Sequence, residues 1–416
     1  EEKAQCLNRD SGYVNQNDNE DLSKAIVNSL TVPSLLISDY KDDLNFISTA
    51  SILGVREGRT IIGEETVKLD AFFSGKRYEN PIFYAYSNID SHSKDTAFED
   101  SHVNDWCCGA GLWRVNFSVP VPMGAIIPKD FHGLLTAGRC LSVDHNIASC
   151  IRMKSDMEKC GEAAATLAYI AIKNNISAKD ADYSELSKML MKTGCLDSDH
   201  DVGFVKPSNG RMKKFSFITD IDEIKSELST DFPNIAIWSA KLLGIKEQLR
   251  EWLNEENDDL KRHSAIALGL LSETDGLAIL RSLAAERDIH VPAKNEQIAY
   301  ALCVTAVYLL GRLKDQDAVS ILSDIIKDGG AFKETDFEPD MLYKEVSDIK
   351  FHLFSYAVAA ILEIRKAHPE LKEKIDKVLN DYILNKEQKM NVSLKFDLLN
   401  QYDMYPKIKK YILKSI

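Results

Sequence analysis

Beyond residue 232 the chain settles into a repeating pattern: apolar residues at i, i+3, i+4 and i+7, broken by short polar turns. That period predicts amphipathic helices. They come in pairs, 233–243 with 245–254, 259–271 with 275–286, 295–310 with 317–328, and 348–366 with 370–381. Ala265-Ile266 recurs as Ala306-Val307 at an offset of 41 residues, and Leu280 recurs as Leu322 at 42. Helix pairs at such spacings suggest HEAT-like α-solenoid repeats, each burying its face only against its neighbours. A plain helical bundle is the alternative. Residues 390–416 are expected to form a closing pair.

The upstream pattern differs. Residues 1–20 are polar and rich in Asn and Asp, as a loop would be. Leu22, Ile26 and Leu30, then Leu44, Ile47 and Ile52, have helical spacing. Residues 54–135 suggest short strands and loops, with β-branched and aromatic runs at 71–73, 81–86 and 112–119. Leu134-Leu135 suggests a buried strand running into the turn Thr136-Ala137-Gly138-Arg139. A helix is expected over 157–174, with Gly161, Ala163, Ala164 and Ala165 making its opening turns small. The expected division is 1–53, 54–200, a linker at 201–231, and the helical region 232–416.

Composition narrows the choices. A 44% hydrophobic and 28% charged chain is ordinary for a globular protein. A net charge of −13 argues against a general nucleic-acid or anionic-membrane surface. No apolar run approaches the length of a membrane span. The eight cysteines include no C-x-x-C pair and no zinc-like spacing with histidine, so buried free thiols are expected and no metal site.

Four ordered motifs carry a resemblance. Residues 131–165 read FHGLLTAGRCLSVDHNIASCIRMKSDMEKCGEAAA. Upstream lie Gly54-Val55-Arg56-Glu57-Gly58-Arg59-Thr60-Ile61-Ile62-Gly63, then Ile89-Asp90-Ser91-His92, then Val119-Pro120-Val121-Pro122 with Ile126-Ile127-Pro128-Lys129. Together they resemble the C-terminal, flavin-contacting part of the FAD-dependent oxidoreductases of the glutathione-reductase-like superfold, and in particular a bacterial family of them. The resemblance covers about 52–174. It departs from the family pattern at Glu162, where the family has Gln, and at Thr60, where it has a second adjacent Arg.

The resemblance implies an α/β or α+β FAD-binding oxidoreductase fold followed by the all-α HEAT-like region. It implies FAD as cofactor, a small-molecule substrate, and hydride transfer between that substrate and flavin N5. No G-x-G-x-x-G occurs. The nucleotide-binding unit that carries the ADP half of FAD is therefore expected upstream of Glu1, and residues 1–416 alone are expected to be an inactive, incomplete portion. Gly138 and Arg139 would pass the ribityl chain or ring. Asp144 would hold a ribityl hydroxyl or structure its loop. Ser149, Arg152 and Met153 precede the small-residue helix, whose free N–H groups suit a flavin pyrimidine oxygen. Arg152 would answer charge at the N1–C2=O edge. Arg56 and Arg59 would meet a carboxylate or planar polar group, sharing one side if their stretch is helical, or would pair with Glu57, Glu64 or Glu65. His145 would act as acid, base or oxyanion partner. Asp90 and His92, two apart on a strand, would face one side. The competing function is a non-catalytic scaffold that binds a protein partner or a second copy through its helices.

Overall fold

The computed structural model describes residues 18–30, 54–90, 95–197, 203–208, 211–293, 298–332, 339–340, 342–343, 345–385, 393–395 and 401–416. Helix α1 is Asn19–Leu30. The expected helix around Leu44, Ile47 and Ile52 falls outside the described residues, as does His92.

The first half is built on an antiparallel sheet of four strands in chain order: β1 (Pro81–Ser87), β2 (Asn116–Pro122), β3 (Gly203–Ser208) and β4 (Arg211–Lys214). Phe117 of β2 pairs with Ser87 on one side and Phe204 on the other. Residues 203–214, expected to be linker, thus complete the sheet. Residues 71–73 are not a strand but part of the short helix α2 (Leu69–Phe73), whose first N–H bonds the Asp144 carboxylate at 3.0 Å. A helix lets Phe72 and Phe73 both reach Phe117, at ring distances of 4.9 and 5.8 Å. In a strand they would face opposite sides.

After β1 come the 3-10 turn Thr96–Phe98, α3 (Ser101–Asn104) and a π-helical turn Asp105–Gly109. Then α4 (His145–Ile151) and α5 (Lys154–Asn174) cover the sheet, and α6 (Tyr183–Thr193) packs on α5. Helix α5 starts at Lys154, so Gly161, Ala163 and Ala164 lie two to three turns in rather than at its opening. Ala163 and Ala164 are buried on the side packed against β1. Asn175 ends the helix in the left-handed conformation.

Leu134-Leu135 is not a buried strand. Leu134 is 52% exposed and nearby Phe131 66%. Residues 131–138 pair with no strand among the described residues, and Thr136 alone donates a backbone bond, to Ile126 at 2.9 Å. Without ladder partners the run is not a strand: Leu134 points outward and only Leu135 packs, half-buried, against the core.

The second half contains α7 (Ile221–Leu228), α8 (Asn234–Leu243), α9 (Lys246–Trp252), α10 (Asp258–Leu270), α11 (Leu277–Glu286), α12 (Leu302–Arg312), α13 (Val319–Asp328), α14 (Val346–Ala367) and α15 (Lys372–Leu379). Helix α10 packs on α8, α11 and α12, and α12 packs on α14; α11 touches α13, which touches α15. The expected helix over 295–310 starts only at Leu302. The N–H groups of Leu302 and Cys303 are instead taken by His290 and Asp288 carbonyls at 2.9 and 2.8 Å. The C-terminal segment is a small hairpin, β5 (Ser393–Lys395) with β6 (Gln401–Asp403), followed by one helix, α16 (Tyr405–Ser415), rather than a helix pair.

One core runs through both halves. Trp106 of the π-helical turn stacks on Phe204 at 5.0 Å and meets Trp238 of α8 edge-on at 4.9 Å. No helix among the described residues is long and apolar enough to cross a membrane. The seven described cysteines are free thiols, and burial pushes most of them to pKa values too high for a nucleophile; Cys195 rises to about 11.

Candidate functional site

A pocket of about 170 Å³ opens where the 54–60 loop, the Gly138 turn and α4 converge. Its lining includes Arg56, Glu57, Arg139, Asp144, His145 and Arg152. Three guanidinium groups therefore share one small space.

Each is placed by its surroundings. Gly138 has φ +88, which glycine adopts without a Cβ penalty, and the turn presents Arg139. Arg139 Nε donates to the Arg152 carbonyl at 3.3 Å. Arg56 pairs with Asp90 at 2.9 Å; none of the three glutamates weighed from the sequence is that partner. Arg152 is 6% exposed. One of its terminal nitrogens donates to the Asp90 carbonyl, while Nε, buried at the pocket, has no hydrogen-bond partner. Burial, and then the neighbouring Arg56, lowers the Arg152 pKa. Both effects oppose a bare cation there, so the pocket favours an acceptor-rich or anionic occupant.

Asp144 serves the scaffold. Its two oxygens accept the N–H groups of Ile147 and Leu69 at 2.9 and 3.0 Å, so it caps α4 and ties down α2. His145, at the mouth, bridges two carboxylates: Nδ1–H donates to Glu57, and Nε2–H donates to Glu99 at 3.0 Å. The hydrogen bonds to Glu57 and Glu99 raise its pKa to about 10 against partial burial. The two carboxylates favour its charged form, so the ring is placed to hold positive charge at the mouth.

Not every expected residue gathers here. The 54–60 stretch is a bend, not a helix, and Arg59 is exposed outside the lining. Asp90 follows β1 and is not on a strand. Ser149 is buried within α4, with its hydroxyl unpartnered, and is not among the lining residues. Met153 is the N-cap of α5 and also lies outside the lining. It supplies no capping bond to the helix, which begins at Lys154, two residues after Arg152. Glu99 went unnoticed in the sequence because its partner is 46 residues away and no local spacing announces it.

FAD can be tested against these groups. The unpartnered Arg152 Nε and the cluster of guanidinium groups suit the carbonyl-rich edge of a flavin pyrimidine. The volume is below the ~300–1,000 Å³ of a complete ligand pocket, so the cavity matches part of a dinucleotide rather than the whole.

Residues 15–190 match the family model described as FAD dependent oxidoreductase, a family that binds FAD. This stretch carries the pocket and two of the four strands, β1 and β2. Neither the curated proteins nor the solved structures contain a match to the chain.

Proposed function

We propose that this chain provides the flavin-contacting wall of an FAD-dependent oxidoreductase acting on a small polar or anionic molecule. The unpartnered, buried Nε of Arg152 carries the reading. When bound, FAD would supply hydride transfer at N5. Arg152 would hold the pyrimidine carbonyl edge. Arg139, on the Gly138 turn, would border the ring or ribityl chain. Arg56, oriented by Asp90, would hold a substrate carboxylate. His145 would contribute a fixed positive charge at the mouth.

The helical array is read as HEAT-like repeats. The stacking of α10 on α12 and α12 on α14, with α11, α13 and α15 following alongside, supports this. A second reading is a non-catalytic scaffold using that array to hold a partner or a second copy. The small pocket volume favours it.

A visible spectrum separates the two. Residues 1–416, and the same chain with whatever precedes residue 1, are incubated with FAD and passed through gel filtration. Flavin bands near ~370 and ~450 nm in the longer protein, lost in its Arg152→Met variant, support the oxidoreductase. No bands in either length sinks it and leaves the scaffold.

A further inference from the structure

The segment just before Glu99 is gripped by the second half. Asp95, 3% exposed, pairs with Lys407 of α16. Thr96 Oγ1 meets the hydroxyls of Tyr300 and of Tyr356 on α14, the latter at 3.0 Å. Phe98 packs its ring on Tyr411 of α16 with centroids 4.2 Å apart.

The proton order is fixed by Asn104. Its amide nitrogen donates to the carbonyls of Thr96 and Glu99 at 2.9 and 3.1 Å, leaving Oδ1 to accept from Tyr356 at 2.6 Å. Tyr356 must then accept from Thr96, and Thr96 from Tyr300. Every hydroxyl in this buried chain is satisfied in one direction, so the turn has one low-energy position. Glu99 emerges from that turn and accepts a hydrogen bond from the Nε2–H of His145. Glu57, on the pocket loop, accepts one from the other ring N–H.

We propose that Tyr411 is a positioning residue for the pocket: α16, docked through the Tyr411–Phe98 ring contact, holds the 95–99 turn so that Glu99 clamps His145 and, through it, the Glu57 loop. Tyr411 acts through Phe98 and Glu99 and does not itself reach the pocket. The inference rests on the pocket being the functional site, and not on flavin being what fills it. It makes the last helix of the chain part of the pocket's construction.

The test is the titration of His145, followed by NMR on histidine-labelled protein and assigned with His145→Gln. The charged groups facing the ring are Glu57 and Glu99, with Arg56, Arg139, Arg152 and Asp144 around the same pocket. Glu99→Gln sets the reference, a downward shift of about one pH unit or more from losing one charged partner. Tyr411→Ala is expected to move His145 down in the same direction, and Tyr411→Phe, which keeps the ring, to restore it. Phe98→Ala removes the same contact from the other side and gives the result if Tyr411→Ala does not fold. A wild-type titration in Tyr411→Ala or Phe98→Ala, with Glu99→Gln shifted, overturns the proposal. An unshifted Glu99→Gln overturns it too, because Glu99 would then not be holding His145. None of these readings depends on FAD, so failure here is distinct from failure of the oxidoreductase reading.

Discussion

Arg312 grips Asp105 across the seam between the halves, its Nε 2.8 Å from one carboxylate oxygen and a terminal nitrogen 3.2 Å from the other. Lys241 adds a contact at 2.9 Å, and the Tyr308 hydroxyl donates at 2.6 Å. One carboxylate of the π-helical turn is thus held by three side chains from α8 and α12, through four donor groups. Asp105→Ala would leave two cations facing a hole, which destabilises by about 3 kcal/mol. Thermal melting should show a drop of several degrees and, since the clamp joins the halves, earlier proteolysis between them. An Asp105→Ala protein melting with the wild type would show that the clamp is idle.

Helix α12 crosses α14 at close range. A Cβ on Gly311 would lie 2.5 Å from Ala360 Cα, a backbone atom that cannot swing aside. Gly311→Ala is expected to destabilise by ~1–3 kcal/mol through overpacking. Gly161, within α5, has nothing within 4 Å of such a Cβ. Gly161→Ala should stabilise by ~0.5–1 kcal/mol from helix propensity alone. Urea unfolding of both variants checks the contrast, and equal effects would contradict the close crossing.

Asp156, in the first turn of α5, is 3% exposed, and one of its oxygens is unpartnered. Burial raises its pKa from 3.8 to about 7, against a smaller opposing pull from Lys159. For an acid raised on folding, the folded state binds the extra proton, so stability falls as pH rises from about 4 to about 7 and the loss is complete above that. Asp156→Asn should therefore be more stable than wild type at pH 8, by ~1–3 kcal/mol, and nearly equal to it at pH 4. Melting curves at the two pH values decide; a gap that does not depend on pH would refute the assignment.

The His145 clamp runs the other way. A histidine raised from 6.5 to about 10 contributes stability that is fully present below pH 6.5 and is lost as pH rises through about 10. The difference in melting temperature between wild type and His145→Gln should shrink across that upper range. Because the side chain is 61% exposed, the difference should also shrink in high salt. A constant difference from pH 7 to 11 would mean the imidazolium is not what holds the mouth.

How far the sequence could be read follows from how far each signal reaches. Helices α8 to α11 announce themselves because each carries its apolar period within ten or so residues. Leu302, where α12 starts, could not be placed that way, because its N–H goes to His290 rather than to a helical carbonyl. Phe72 and Phe73 have strand-like side chains but lie in a helix whose first N–H is bonded by Asp144, 75 residues on. In the pocket, Arg56, Arg139 and Arg152 were marked by the motifs around them. The pairings that give them meaning were not: Arg56 finds Asp90, and His145 finds Glu57 and Glu99, only once the chain has folded.

The bond between Thr96 and Tyr356 spans 260 residues. It sets the order in which this protein can mature. The pocket half leaves the ribosome first, but the side chains of Asp95, Thr96 and Phe98 lack their partners on α14 and α16 until those helices have been made. Closing so long a loop is slow, and the apolar surface around Trp106 stays open in the meantime. A chain stopped short of residue 300 would lack more than an appendage: it would expose a half-built core, a substrate for chaperones and proteases.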